Sequence, residues 1–422
     1  MNPKLLLSQA KDLELLMIKH RRYLHEHPEL GFNLKLTKDY VTKELSSMGY
    51  KPIDCGKCGL IALAGNEKFG KTFLLRADMD ALPIYEQAAV DFPSKNEGQM
   101  HACGHDLHTA MLLGAAKLLK DYEQELKGTV KLMFQPSEET LEGAKDMLKN
   151  DVLKNPDVDA GMMIHVIPGI PFSNGTAIVC DGGVSAPAAD YFQITIQGKG
   201  WHGAMPELGI DPIHIASHIV IALQELHARE LSMSDDAVLT IGSFQAGNAN
   251  NVIPDIARLT GTLRAFDETV RNRIKLRLTE ICTGIAKTFR GRAEVTFTSG
   301  CPTLLNDDSL SKDISNYCKE LLGKDMAFSQ ADLRNQPKSE KTAKATGSED
   351  FSYISHEIPT VMVALSAGNS ENGFLYPLHH PKVTFDETVL SYGASIYTYT
   401  AMRGLEENFE TLYYLHMSLT VV

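Results

Sequence analysis

The chain has 422 residues, 43% of them hydrophobic and 22% charged, with a formal net charge of −12. That length predicts one very large domain or two to three ordinary ones, and the acidic balance argues against a nucleic-acid or anionic-membrane partner. Seven irregularly spaced cysteines form no disulfide framework. No apolar run approaches the ~20 residues of a membrane helix, and the N-terminus lacks the apolar core of a signal peptide, so the expectation is a cytoplasmic protein.

Helices are predicted over 5–26 and 35–48. In the first, Leu5, Leu6, Leu13, Leu16 and Met17 interleave with Lys11, Asp12, Glu14 and Lys19; Gly49 supplies the stop of the second. Apolar runs at 59–64 and 72–77 read as buried strands. A helix over 107–121, a strand over 129–134, a helix over 142–149 and strands over 158–165 and 175–180 follow. Strands alternating with helices predict an α/β layered sheet with helices on both faces, whose sites form at the carboxyl ends of strands. From about 188 the order changes to strand 191–196, helix 210–229, strands 237–246 and 255–265, helix 267–289 and strand 293–298. That β-α-β-β-α-β succession is the ferredoxin-like order. Helix 309–322, strand 359–366 and helix 386–403 then resume the first pattern. The expectation is an α/β/α layered domain built from 1–187 and 300–405, an inserted ferredoxin-like domain over 188–299, and a tail over 406–422. Residues 323–345, polar and Lys-rich, read as a loop.

Residues able to carry chemistry gather where strands end. His101-Ala102-Cys103-Gly104-His105-Asp106-Leu107-His108 packs three imidazoles, a thiol and a carboxylate into eight residues. Thiolate, imidazole and carboxylate together suit a borderline divalent ion such as zinc. Strand 72–77 runs into Asp78 and Asp80, strand 129–134 into Glu138 and Glu139, and strand 158–164 into His165. Gly347-Ser348-Glu349-Asp350-Phe351 and Pro377-Leu378-His379-His380-Pro381 belong to the returning half and can reach the same edge. Taken singly, these are a solvated acidic pair, a core histidine or a helix cap. Their convergence on one sheet edge is not explained that way. Cys55-Gly56-Lys57-Cys58 has redox-motif spacing, but no second pair completes a zinc site, and it reads as a turn.

Arg76-Ala77-Asp78-Met79-Asp80-Ala81-Leu82-Pro83, His101–Asp106, Phe134–Glu139 and Gly347–Phe351 together resemble the dimetal amidohydrolase family of N-acyl-amino-acid hydrolases, within the clan of aminoacylases and glutamate carboxypeptidases. Gly198–Pro206, Gly209–Pro212 and Asn251–Pro254 resemble that family's lid, or dimerisation, domain. The resemblance implies that Cys103, His105, Glu139, His165 and His379 hold two divalent metal ions, zinc or manganese, with cobalt or nickel tolerated. It makes Glu138 the general base toward a metal-activated water, and Asp80 a group that orients a ligand by hydrogen bonding. His101, Asp106 and His108 are left around the ligands. His202 would stabilise the oxyanion in a partner subunit's site, and Asn251 and Arg264 would hold the substrate carboxylate. The implied reaction is amide hydrolysis of an N-acyl-amino acid by a homodimer, or a tetramer, joined through the lid. A dipeptidase or carboxypeptidase, or a silent binding protein, are the rival readings. Trp201 stands where relatives usually carry Gly, and Glu207 where many carry His.

Overall fold

The computed structural model describes residues 1–65, 70–334 and 347–406. Its main sheet has eight strands in the order β1 (Ile53–Cys55), β2 (Gly59–Gly65), β4 (Thr129–Gln135), β3 (Thr72–Asp78), β5 (Ala160–Ile167), β16 (Thr360–Ser366), β6 (Ala177–Val179) and β15 (Ala327–Ser329). The central four, β4, β3, β5 and β16, run parallel, so their carboxyl ends open on one edge.

Alternate residues of these strands serve opposite faces, as the two-residue period of a strand requires. Phe73, Leu75 and Ala77 join one core with helices α1 (Pro3–Asp12), α2 (Glu14–Glu26), α3 (Lys35–Ser47), α4 (His105–Asp121), α8 (Asp308–Leu322) and α11 (Val389–Glu406). Leu74, Met133 and Met163 join the other, with α5 (Gly143–Lys149) and α10 (Ser352–Ser355). Helices therefore cover both faces of the sheet. β7 (Gly183–Ala186) pairs with β14 (Leu304–Asn306) beside it.

A second sheet follows the order β10 (Ala237–Ala246), β12 (Ile256–Ala265), β8 (Ala188–Gln197), β13 (Arg292–Cys301), antiparallel throughout. α6 (Pro212–Ala222) and α7 (Glu268–Thr288) pack on it around Phe192, Ile194, Leu259 and Leu278, a core separate from the first. Both helices open on an aspartate: Asp211 accepts from the Ile213 N–H at 2.8 Å and Asp267 from the Val270 N–H at 2.9 Å. A short ribbon, β9 (Trp201–His202) with β11 (Val252–Ile253), lies beside this unit. No helix among the described residues is long and apolar enough to cross a membrane.

Several boundaries differ from expectation. The helix expected over 5–26 is divided at Leu13 into α1 and α2. The helix expected over 210–229 stops at Ala222 and resumes as a π turn over Leu226–Glu230. The expected loop 323–345 contains β15 and α9 (Gln330–Arg334), and its remainder from 335 lies outside the described residues. α11 continues through Glu406, so 404–406 are helical; the rest of the expected tail, 407–422, lies outside the described residues. Cys55–Cys58 forms the turn between β1 and β2.

Candidate active site

Cys103 is the hub. Its Sγ lies 3.6 Å from His165 Nε2 and 3.3 Å from His379 Nε2, and His379 Nε2 is 3.4 Å from Glu139 Oε1. Three overlapping groups have donor atoms within 4.8 Å of one another: Cys103, His105 and His165; Cys103, Glu139 and His379; His105, Glu138 and Glu139. The five expected ligands and the expected base are thus brought together from the turn into α4 and its first residue, the segment after β4, β5 and the returning segment.

Local structure aims each donor. Gly104 sits at φ 88 immediately before α4, and a Cβ there would meet Val166 Cγ2 at 2.4 Å. The loop can therefore close only with glycine, and the turn delivers Cys103 and His105 side by side. His105 Nδ1 donates to the Asp80 carbonyl at 2.8 Å, and His165 Nδ1 to the Val166 carbonyl at 2.9 Å. Both rings thereby turn Nε2, the nitrogen that can bind an ion once it has shed its proton, toward the cluster, the arrangement typical of metal-binding imidazoles. His105 Nε2 is buried and makes no hydrogen bond, and Glu139 Oε1, also buried, faces His379 Nε2 at 3.4 Å. Buried polar atoms rarely stay unpartnered, and such a nitrogen among a thiol, carboxylates and further imidazoles fits a site for divalent cations.

Charges within the cluster are strongly coupled. Burial and Glu139 push the Cys103 thiol up, but the His165 and His105 imidazoles outweigh them and hold it at about 6. Burial disfavours the His165 imidazolium, yet the Cys103 thiolate raises its pKa to about 9. Hydrogen bonds to Cys103 and then Glu139 raise His379 to about 10. Burial drives the Glu138 carboxyl well above its ordinary range, helped by the facing carboxylates of Glu349, Glu139 and Asp350. A carboxyl so placed can take and return a proton near neutrality.

Asp80 is buried behind the Glu138–Glu139 main chain. Its Oδ1 accepts the Glu138 N–H at 2.9 Å and its Oδ2 the Glu139 N–H at 3.2 Å. The segment it holds is itself bent, with Ser137 at φ 58.

Sequence reasoning left two layers without roles. His108, fully buried, donates from Nδ1 to Asp78 Oδ1 at 2.6 Å and accepts the Val166 N–H on Nε2 at 2.9 Å. Arg76, also fully buried, donates to Gln135 Oε1 and lies at 2.7 Å from Asp78, 2.8 Å from Glu349 and 3.2 Å from Asp350. The signal available was a charged residue inside the apolar run of β3, which demands a buried partner. Asp106 pairs with Arg21 and His25 at 2.9 Å behind the cluster. His101 is buried with neither nitrogen bonded, and burial lowers its pKa to about 3.

His202 and Asn251 are not in the cluster. Both are exposed on the β9–β11 side, where the Gly203 N–H donates to the Asn251 carbonyl at 2.8 Å and His202 Nδ1 accepts from the Ala204 N–H at 3.1 Å. Arg264, on β12, donates to Ser348 Oγ at 2.6 Å and so touches the segment that carries Glu349 and Asp350.

Residues 74–403 match peptidase family M20/M25/M40. The chain is 40% identical over 412 residues to IAA-amino acid hydrolase ILR1-like 2 of Arabidopsis thaliana, covering 95% of this chain and 88% of that one. It is 36% identical over 400 residues to N-acetyl-L-cysteine deacetylase of Bacillus subtilis, covering 94% and 90%. Among solved structures it is similar to a Bacillus subtilis dinuclear metal binding peptidase of the M20 family, with a TM-score of 0.74 at 33% identity over 94% of this chain and 99% of that one. The chain belongs to peptidase family M20/M25/M40 and is a hydrolase that acts on amide bonds.

Proposed function

We propose that this protein hydrolyses the amide bond of N-acyl-L-amino acids, with Cys103, His105, Glu139, His165 and His379 holding two divalent metal ions and Glu138 as general base. The observation that carries this reading is the run of three overlapping triads of donors, each within 4.8 Å, that links Cys103, His105, His165, Glu139, His379 and Glu138 and includes the unpartnered buried His105 Nε2. The likeness to a dinuclear metal binding peptidase supports the count of two ions, and the thiolate favours zinc, with manganese, cobalt or nickel tolerated. Bound divalent ions supply Lewis acidity toward a water and an amide carbonyl.

The chain's own groups do the rest. Glu138 takes a proton from the attacking water and returns it to the departing amine nitrogen, a shuttle suited to its raised pKa. Asp80 fixes the Glu138 and Glu139 main chain so that one carboxylate faces the ions and its neighbour faces the water. Residues 188–299 act as lid and dimerisation domain, His202 serving the partner subunit's oxyanion and Asn251 with Arg264 the substrate carboxylate. The likenesses to an IAA-amino acid hydrolase and an N-acetyl-L-cysteine deacetylase support this substrate class.

The test is a panel of N-acetyl-, N-benzoyl-, N-indoleacetyl- and N-succinyl-amino acids beside dipeptides, on enzyme reconstituted with zinc or manganese. Turnover should be faster on at least one N-acyl-amino acid than on any dipeptide. Dipeptides as the better substrates would make it a peptidase instead.

A further inference from the structure

His379 reaches Cys103 and Glu139 from an unfavourable backbone position. It is not glycine, yet its φ is 63, in the left-handed region that side chains with a Cβ seldom occupy. It stands third in a β-turn closed by the His380 N–H donating to the Pro377 carbonyl at 3.3 Å. Such a conformation persists only where surroundings over-determine it.

Main-chain bonds tie part of the turn down. The His379 N–H donates to the Ala102 carbonyl at 2.9 Å, and the Gln87 N–H to the Pro381 carbonyl at 2.7 Å. The remaining restraint is made by side chains. The Tyr376 and His380 rings, one before the turn and one at its end, stack across its mouth with centroids 4.4 Å apart and planes 14° from parallel. The His380 ring is itself oriented, since its Nδ1 accepts the Lys382 N–H at 3.1 Å. Tyr376 remains 36% exposed and belongs to no core cluster, so it has no packing duty that would otherwise account for the stack.

We propose that Tyr376 is a positioning residue: by stacking on His380 it clamps the Pro377–His380 turn and holds the His379 imidazole against the metal-binding cluster. Removing the ring lets the turn relax toward ordinary φ, which swings His379 Nε2 away from Cys103 and Glu139. The inference rests on the reading of His379 as a metal ligand.

The experiment is zinc affinity of the full chain, without substrate, by competition with a chromophoric chelator, for wild type, Y376A, Y376F and H379A. Tyr376→Ala should weaken the more weakly held ion about 10-fold, the scale typical of groups that orient a ligand, while Tyr376→Phe, which keeps the stack, stays within about twofold of wild type. Weakened binding in H379A with wild-type affinity in Y376A would overturn the clamp and leave the ligand assignment standing. Equal weakening in Y376A and Y376F would also overturn it, because the hydroxyl and not the ring would then matter. Unchanged affinity in H379A would remove His379 from the ligand set, a failure of the proposed function itself.

Discussion

The Asp80 carboxylate accepts the main-chain N–H of Glu138 at 2.9 Å and, through its other oxygen, that of Glu139 at 3.2 Å. One side chain thus sets the direction of both carboxylates that the proposed chemistry needs. Asn in its place has one acceptor oxygen and would turn an NH2 toward the second N–H. Asp80→Asn should lower kcat about 10- to 100-fold with metal content unchanged, as steady-state kinetics beside metal analysis will show. An unchanged kcat would mean that the Glu138–Glu139 segment holds its course without the clamp.

His108 joins the ends of two neighbouring strands. β3 and β5 pair from Phe73 to Arg76, and beyond that point the His108 ring bridges Asp78 and Val166. Burial lowers its pKa against the pull of Asp78, consistent with a neutral ring that donates at one nitrogen and accepts at the other. His108→Ala should weaken metal binding about 10- to 100-fold by freeing the strand end that carries His165, measurable by calorimetric titration. Wild-type affinity would show that the strand ends hold their places without the bridge.

Arg76 faces three buried carboxylates. Burial disfavours the ionised Asp78, but Arg76 and the His105 and His108 imidazoles hold its pKa well below the ordinary range; burial drives Asp350 well above it. Arg76→Met would leave those carboxyls without their cation and should cost about 3–5 kcal/mol, read from the urea midpoint. A loss below about 1 kcal/mol would mean that protons replace the guanidinium easily.

Metal uptake should be coupled to pH. In the metal-free protein His165 and His379, raised to about 9 and about 10, carry protons at neutral pH that an incoming ion must displace. Affinity therefore strengthens as pH rises toward those values, and falls further below about 6, where Cys103 also becomes protonated. Titrating zinc into weakly buffered protein near neutrality should release more than one proton per chain. Release of none would place these imidazoles outside the binding site.

Much of this was legible from residue order. β3, β4 and β5 were recognisable as apolar runs, and Asp78 at the end of β3, Glu138 and Glu139 just beyond β4 and His165 near the end of β5 carry metal or acid–base chemistry, so the site edge followed from the parallel order. The division at Leu13 was hidden because the amphipathic pattern of α1 continues into α2. Short pairings such as β9 with β11, two residues each, carry no periodicity to detect. His108 was visible as a histidine but not as a bridge, since its partners stand 30 and 58 positions away in sequence. Left-handed φ at His379 has no signature in a non-glycine residue.

The central claim is that the Cys103 cluster holds two divalent ions and that Glu138 moves the proton. The most direct measurement is metal content and turnover of Glu138→Gln beside wild type on an accepted N-acyl-amino acid. Two ions per chain in both proteins, with kcat of the variant lower by about 10²- to 10⁴-fold, is the predicted result. Full turnover by the variant, or fewer than one ion per chain in reconstituted wild type, would contradict it.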